Sequence, residues 1–160
     1  MKNKNYIYIV FLVWTTMACN SWLDVQPENQ ASTEELYSLG EGFRTQLNGV
    51  YIQLSNENLY GKELTWGFLD VMGQYYTANK IISPYKEANS FAYGNAAVKH
   101  IIQQIWEKSF HAVADCNSIL ANIAHADTSI FELGQSEKNL IEGEALALRA
   151  YIHLDILRLF

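Results

Sequence analysis

Four tyrosines, Tyr75, Tyr76, Tyr85 and Tyr93, fall with Phe91 in a stretch that also holds Asn79, Asn89 and Asn95. The flat C–H patches of a sugar ring pack on aromatic faces, while its hydroxyls need Asn, Asp or backbone partners. The segment from Tyr75 to Asn95 supplies both types, and Tyr76, Tyr85 and Tyr93 are its candidate ligand contacts. Tyr75 and Tyr76 fit core packing at a helix end equally well. Other chemistry finds less support. His111 and Asp115 share a helix face at i, i+4, but two such residues on a solvated stripe make half a metal site at most. His153 and Arg149 read as the polar edge of a helix. Glu142 and Glu144 diverge on a helix because they are two residues apart. Retaining glycoside hydrolysis needs two carboxylates facing each other at about 5 Å, and no motif supplies them. Cys116 lies beside an apolar stripe and reads as an inert core thiol. GxGxxG, P-loop, HExxH and CxxC patterns are absent from the sequence, so no catalytic residue, metal or cofactor is expected.

Cys19 suggests a different chemistry. It follows a basic start, with Lys2 and Lys4, and the apolar run "YIYIVFLVW" from Tyr6 to Trp14. Spanning a bilayer takes about 20 such residues, so this run is too short and fits the core of a secretory signal. "TTMAC" then resembles a bacterial lipobox, in which the cysteine becomes the acylated first residue. Ala18 is the small residue wanted before the cut, and Thr16 stands where Leu is usual. Cleavage would remove residues 1–18, and acyl chains on Cys19 would hold the mature chain to a membrane without a spanning helix.

Loss of Lys2 and Lys4 leaves 9 basic and 17 acidic residues, a net charge of −8. The basic residues do not cluster, which argues against a nucleic-acid partner. The remaining 142 residues suffice for one domain with its own core. With Cys19 acylated, Cys116 has no partner for a disulfide.

Stepwise apolar spacing sets the elements that must position these residues. "WLDVQPENQA" reads as a tether, giving boundaries of 1–18 for the signal, 19–31 for the tether and 32–160 for a helical domain. Ser32 and Glu35 form a capping box ahead of a stripe of Leu36, Leu39, Phe43, Leu47, Val50 and Leu54. Three glycines, Gly40, Gly42 and Gly49, weaken that helix, and Gly49 is the expected point of close approach. A shorter helix is expected over 63–76 and a long loop over 77–95. A strong helix over 96–124 carries one stripe of Trp106, Phe110, Val113, Asn117, Leu120 and Ala124, with Asn117 bonding between helices. Lys108, His111, Asp115, Ser118 and Asn122 form its polar stripe. The last helix, over 137–160, has two apolar faces, one with Ile141, Ala145, Leu148, Ile152 and Leu159, the other with Ala147, Tyr151 and Leu154. Such a helix sits between two neighbours in a stacked array. Strand-like alternation is absent, so the class is all-α. The apolar helix running to Phe160 without a cap suggests the front part of something longer.

Four segments together resemble the SusD/RagB family of outer-membrane lipoproteins. They are "ACNSWLDVQP", "LNGVYIQL", "IWEKSFHAVADCNSIL" and "GEALALRAYIHLDILRLF". The resemblance implies a tetratricopeptide-like helical array, here its N-terminal part. It also implies a surface lipoprotein on the outer membrane that binds glycans or peptides without catalysis and serves a SusC-type TonB-dependent transporter. The competing reading is a helical-repeat scaffold that binds proteins and no small ligand.

Overall fold

The computed structural model describes residues 32–160. The chain divides into two units, Met1–Thr33 and Glu34–Phe160, and the helical array belongs to the second. The signal-like segment, Cys19 and the tether lie outside the described residues. Six α-helices follow in order: α1 (Thr33–Leu36), α2 (Gly40–Leu54), α3 (Phe68–Met72), α4 (Tyr85–Asn89), α5 (Ala96–Ile123) and α6 (Gln135–Leu159), with no strand among the described residues. The class is all-α.

The expected first helix is broken in two. Gly42 sits against the Leu36 carbonyl so closely that a Cβ there would lie 1.5 Å from that oxygen, and a Cβ on Gly40 would lie 2.7 Å from the Ile130 carbonyl. Gly42 thus lets the chain fold back between α1 and α2, and Gly40 lets the start of α2 approach the Ile130–Phe131 backbone. Gly49, by contrast, faces open space. The fold-back moves Leu39 out to solvent and puts Tyr37 into the core, its ring centroid 4.6 Å from that of Phe43. Phe43, Leu47, Val50 and Leu54 are buried as their spacing implies. Phe43 is fully buried, so truncating it to Ala should cost about 3–5 kcal/mol.

Helix α5 is the spine. Asn95 caps its start, with Oδ1 accepting from the Ala97 and Val98 amides at 2.8 and 3.4 Å. Its buried seam is Val98, Ile105, Ser109, Ala112, Cys116, Ile119 and Ile123, with Val113 beside it. That seam lies about one residue round from the expected stripe. Trp106 and Phe110 stand half-exposed at its edge, 4.6 Å apart between ring centroids. The smaller Ser109, Ala112 and Cys116 occupy the seam because they let α2 and α6 approach the α5 backbone closely. Asn117 does bond between helices, accepting from Arg149 Nη1 at 2.8 Å, but it does so at the exposed surface.

Side-chain pairs fix the helix directions. Phe110 meets His153 and Asn117 meets Arg149, so α5 and α6 run antiparallel. Arg44 meets Glu137 and Tyr51 meets Glu144, so α2 runs parallel to α6. Only one face of α6 is covered: Ile141, Ala145 and Ile152 are buried, with Leu148, Ile156 and Leu159 packed beside them. Leu140, Ala147, Tyr151, Leu154 and Leu157 are exposed among the described residues. The second apolar face expected from the sequence is therefore real as a pattern and, apart from the Tyr151 ring against Tyr60, stands exposed among the described residues.

The helix expected over 63–76 shrinks to α3, because residues 55–67 wind through successive turns that bury Leu59, Glu63 and Leu64. The expected 77–95 loop contains a 3-10 turn at Ala78–Lys80 and all of α4. Ala88 of α4 is fully buried. The two short helices pack on each other, and α4 also touches α5.

Candidate functional site

Helices α3 and α4 have five residues each, too few to persist alone. Each is locked at its end by the same pair of bonds. After α3, the Gln74 amide donates to the Val71 carbonyl and the Tyr75 amide to the Asp70 carbonyl, both at 3.1 Å. After α4, the Phe91 amide donates to the Ala88 carbonyl and the Ala92 amide to the Glu87 carbonyl, both at 2.9 Å. These are Schellman ends, with Gln74 at φ 61° and Phe91 at φ 56° in the left-handed position that glycine usually takes. Each costs about 1 kcal/mol relative to glycine, which surrounding contacts must offset. Tyr75 and Tyr76 leave α3 through the first of these turns.

Between α3 and α4 lies a cleft of about 510 Å³ whose lining includes Trp66, Val71, Tyr75, Tyr76, Ile82 and Tyr85. Tyr75 is 81% exposed and Trp66 59% exposed, so both present ring surface to solvent. Tyr76 is fixed by its hydroxyl, which donates to the Trp66 carbonyl. Tyr85 is more deeply set, and its hydroxyl donates to Glu63 Oε1 at 2.8 Å. Burial, and then that hydrogen bond, push the Tyr85 phenol above its ordinary pKa. Lys62 Nζ lies 3.0 Å from Glu63 Oε1. Hydrogen bonding to Glu63 holds the Lys62 ammonium well above its ordinary range. The cleft is thus an aromatic slot with one cationic edge, supplied by Lys80.

Two of the three candidate tyrosines come together here, Tyr76 and Tyr85. Tyr93 does not line this cleft. It borders a second depression of about 440 Å³ with Phe68, Met72, Ile102, Arg158 and Phe160. Its ring centroid is 6.3 Å from that of Phe91. Tyr85 begins α4 rather than lying in an aperiodic loop, and it packs against the core. Trp66, which sequence spacing did not single out, is part of the lining because residues 55–67 wind as turns.

Several of the remaining polar candidates have protein partners. Asp115 accepts from Gln53 Nε2. Glu144 accepts from the Tyr51 hydroxyl at 3.0 Å. The His153 ring meets Phe110 edge-on, with centroids 6.3 Å apart. Cys116 is fully buried, and burial pushes its thiol pKa up. Among the described residues no three His, Cys, Asp or Glu side chains are grouped so as to hold a metal ion, and no helix is long and apolar enough to cross a membrane.

Two curated proteins match the chain from end to end. SusD-like protein P2 of Formosa agariphila (strain DSM 15362 / KCTC 12365 / LMG 23005 / KMM 3901 / M-2Alg 35-1) is 22% identical over 100% of this chain and 30% of its own length. SusD-like protein P25 of the same organism is 24% identical over 100% of this chain and 31% of its own length. The chain is similar to the front part of these SusD-like proteins. It spans about 30% of the length of these curated relatives. No family model matches it, and no solved structure matches it significantly. The segment similar to them is all-helical among the described residues, and it carries the aromatic cleft between α3 and α4.

Proposed function

We propose that this chain is part of a surface lipoprotein of the outer membrane. In this reading Cys19 carries the acyl anchor, and the protein binds an oligosaccharide and passes it to a SusC-type TonB-dependent transporter. It performs no chemistry on the ligand. The observation that carries the reading is the cleft between α3 and α4, where Trp66, Tyr75, Tyr76 and Tyr85 gather around about 510 Å³. That volume suits two or three sugar units, and the exposed rings of Trp66 and Tyr75 suit their C–H faces. Tyr76 and Tyr85 are the ligand contacts nearest the floor. Tyr93, beyond α3, contacts the far end of a longer chain. The similarity to SusD-like proteins supports the same reading.

Calorimetric titration of the full chain with α-1,4-, β-1,3- and β-1,4-linked hexaoligosaccharides tests it. Heat of binding to at least one, weakened several-fold by Trp66→Ala, is the expected result. Absence of heat with all of them, in a folded chain, contradicts it.

A second reading is favoured by one observation. The face of α6 with Leu140, Tyr151, Leu154 and Leu157 is exposed and apolar, as a protein-binding helical scaffold requires. In that reading the cleft receives a peptide side chain. Titration with an equimolar mixture of short hydrophobic peptides, positive where all sugars are negative, would select it.

A further inference from the structure

Glu63 is 3% exposed and is one of the few buried charged residues among the described ones. A buried carboxylate is costly unless its oxygens are hydrogen-bonded and its charge is matched. Both conditions are met here. Oε2 accepts from the Phe68 amide at 3.0 Å. Oε1 accepts from the Tyr85 hydroxyl at 2.8 Å and lies 3.0 Å from Lys62 Nζ. Phe68 opens α3 and Tyr85 opens α4, so one side chain ties together the starts of both helices that border the cleft.

The backbone is shaped to admit it. A Cβ on Gly67 would come within 2.9 Å of Glu63 Oε2 and 2.8 Å of the Lys62 carbonyl. No residue larger than glycine fits at 67 without moving the carboxylate or the turn. Gly67 also lines the cleft. The clasp and the cleft wall therefore share a residue.

We propose that Glu63 is a positioning residue for the aromatic cleft. Its two oxygens set the separation between the Trp66–Val71 segment and Tyr85, with the charge matched by Lys62. The cleft is thereby held at binding width before any ligand arrives. The consequence for affinity rests on the reading of the cleft as a ligand site. Only a carboxylate can do this. It offers an acceptor at each oxygen, whereas Gln offers one acceptor and one donor and would keep one clasp at the expense of the other. Asp has both acceptors but is one methylene too short. Pre-organisation of this kind lowers the ordering cost of binding, so its loss weakens affinity without removing any group that touches ligand.

The test uses the full chain labelled with ¹³Cζ-tyrosine, in which the Tyr85 signal is assigned by its loss in Tyr85→Phe. Without ligand, Glu63→Gln should release one of the two clasps, seen either as a lowered Tyr85 titration midpoint or as exchange of the Phe68 amide speeded at least about tenfold relative to amides of α5. With the hexasaccharide bound most tightly by the unmodified chain, Glu63→Gln should weaken binding about tenfold. In the Tyr85→Phe background, where that clasp is already open, the same change should cost less than about twofold. Tyr85 titration and Phe68 exchange both unmoved overturn the proposal, as does unchanged affinity despite a lowered melting temperature. Losses that multiply in the double variant overturn it too. If the unmodified chain binds none of the sugars, the proposed function fails, and the ligand-free measurements still decide the role of Glu63. Should Glu63→Gln fail to fold, Gly67→Ala, which presses on the same carboxylate, takes its place with the same expected directions.

Discussion

The hydroxyl of Tyr60 donates to Asp155 Oδ2 at 2.8 Å, joining residues 95 positions apart. The Tyr60 ring also lies 5.3 Å, centroid to centroid, from that of Tyr151. One side chain thus ties the turn after α2 to the last turns of α6. Tyr60→Phe removes the hydrogen bond and leaves the ring, and a bond to a charged, partly buried acceptor is worth about 1–2 kcal/mol. Urea denaturation should show a loss of that size with an unchanged slope. A change below about 0.3 kcal/mol would mean that water replaces the bond at no cost.

The same contact sets an alkaline limit. Burial, then the bond to Asp155, hold the Tyr60 phenol far above its ordinary range, and burial also raises the phenols of Tyr37 and Tyr85. Unfolded tyrosine ionises near pH 10. A folded pKa above the unfolded one gives stability that is complete below the unfolded value and is lost as pH rises through the folded one. Stability should therefore begin to fall above about pH 10. Absorbance titration should show Tyr60 ionising only as helicity is lost. A single step for all ten tyrosines with circular dichroism unchanged would contradict this.

Arg44 gathers three carboxylates, but only one is buried. Glu137 is 6% exposed, accepts from Arg44 Nη1 at 2.7 Å, and takes the Leu133 amide on its other oxygen at 3.0 Å. Glu41 and Glu132 are exposed. Removing the guanidinium leaves Glu137 charged and half-satisfied in the interior, whereas removing an exposed partner frees it to solvent. Arg44→Ala should therefore lower the denaturation midpoint clearly more than Glu41→Ala or Glu132→Ala. Equal effects from all three would assign Arg44 a surface role only.

Cys116 gives a probe of the seam. It is fully buried and its thiol is pushed up by burial, so both access and thiolate fraction are low. In a Cys19→Ala chain, Ellman's reagent should label Cys116 at least about a hundredfold more slowly under native conditions than in guanidinium. Fast native labelling would show that α5 and α6 part readily. The same Cys19→Ala change, made in the native host, should release the protein from membranes and abolish palmitate incorporation. Retained fractionation and labelling would refute the anchor.

What the sequence made legible follows the strength of its periodicity. Helices α2, α5 and α6 carry apolar spacing over 15 residues or more, and their existence could be read from it. The phase of α5 could not. Trp106 and Phe110 are the largest side chains near their positions, yet the helix turns the smaller Ser109, Ala112 and Cys116 to the interface, since close backbone approach outweighs the burial of a ring. The break at Tyr37–Leu39 was hidden because the glycine that permits it looks, in sequence, like a weak helix position. The ends of α3 and α4 were hidden for the opposite reason: Gln74 and Phe91 occupy left-handed positions without being glycine or asparagine. Tyr76 and Tyr85 could be named from composition. Trp66 joined them only when residues 55–67 were seen to wind as turns, and Tyr93 separated because α3 stands between it and the cleft.

The central claim is that the cleft between α3 and α4 takes up a sugar chain through its aromatic rings. Calorimetry with the hexaoligosaccharide panel, on the full chain and on Trp66→Ala and Tyr76→Ala, tests it most directly. Each ring should contribute about 1 kcal/mol. Each substitution should then weaken binding about fivefold, and the pair about thirtyfold, with helicity unchanged. Affinity in both variants equal to that of the unmodified chain, with binding intact, would place the site elsewhere and contradict the account.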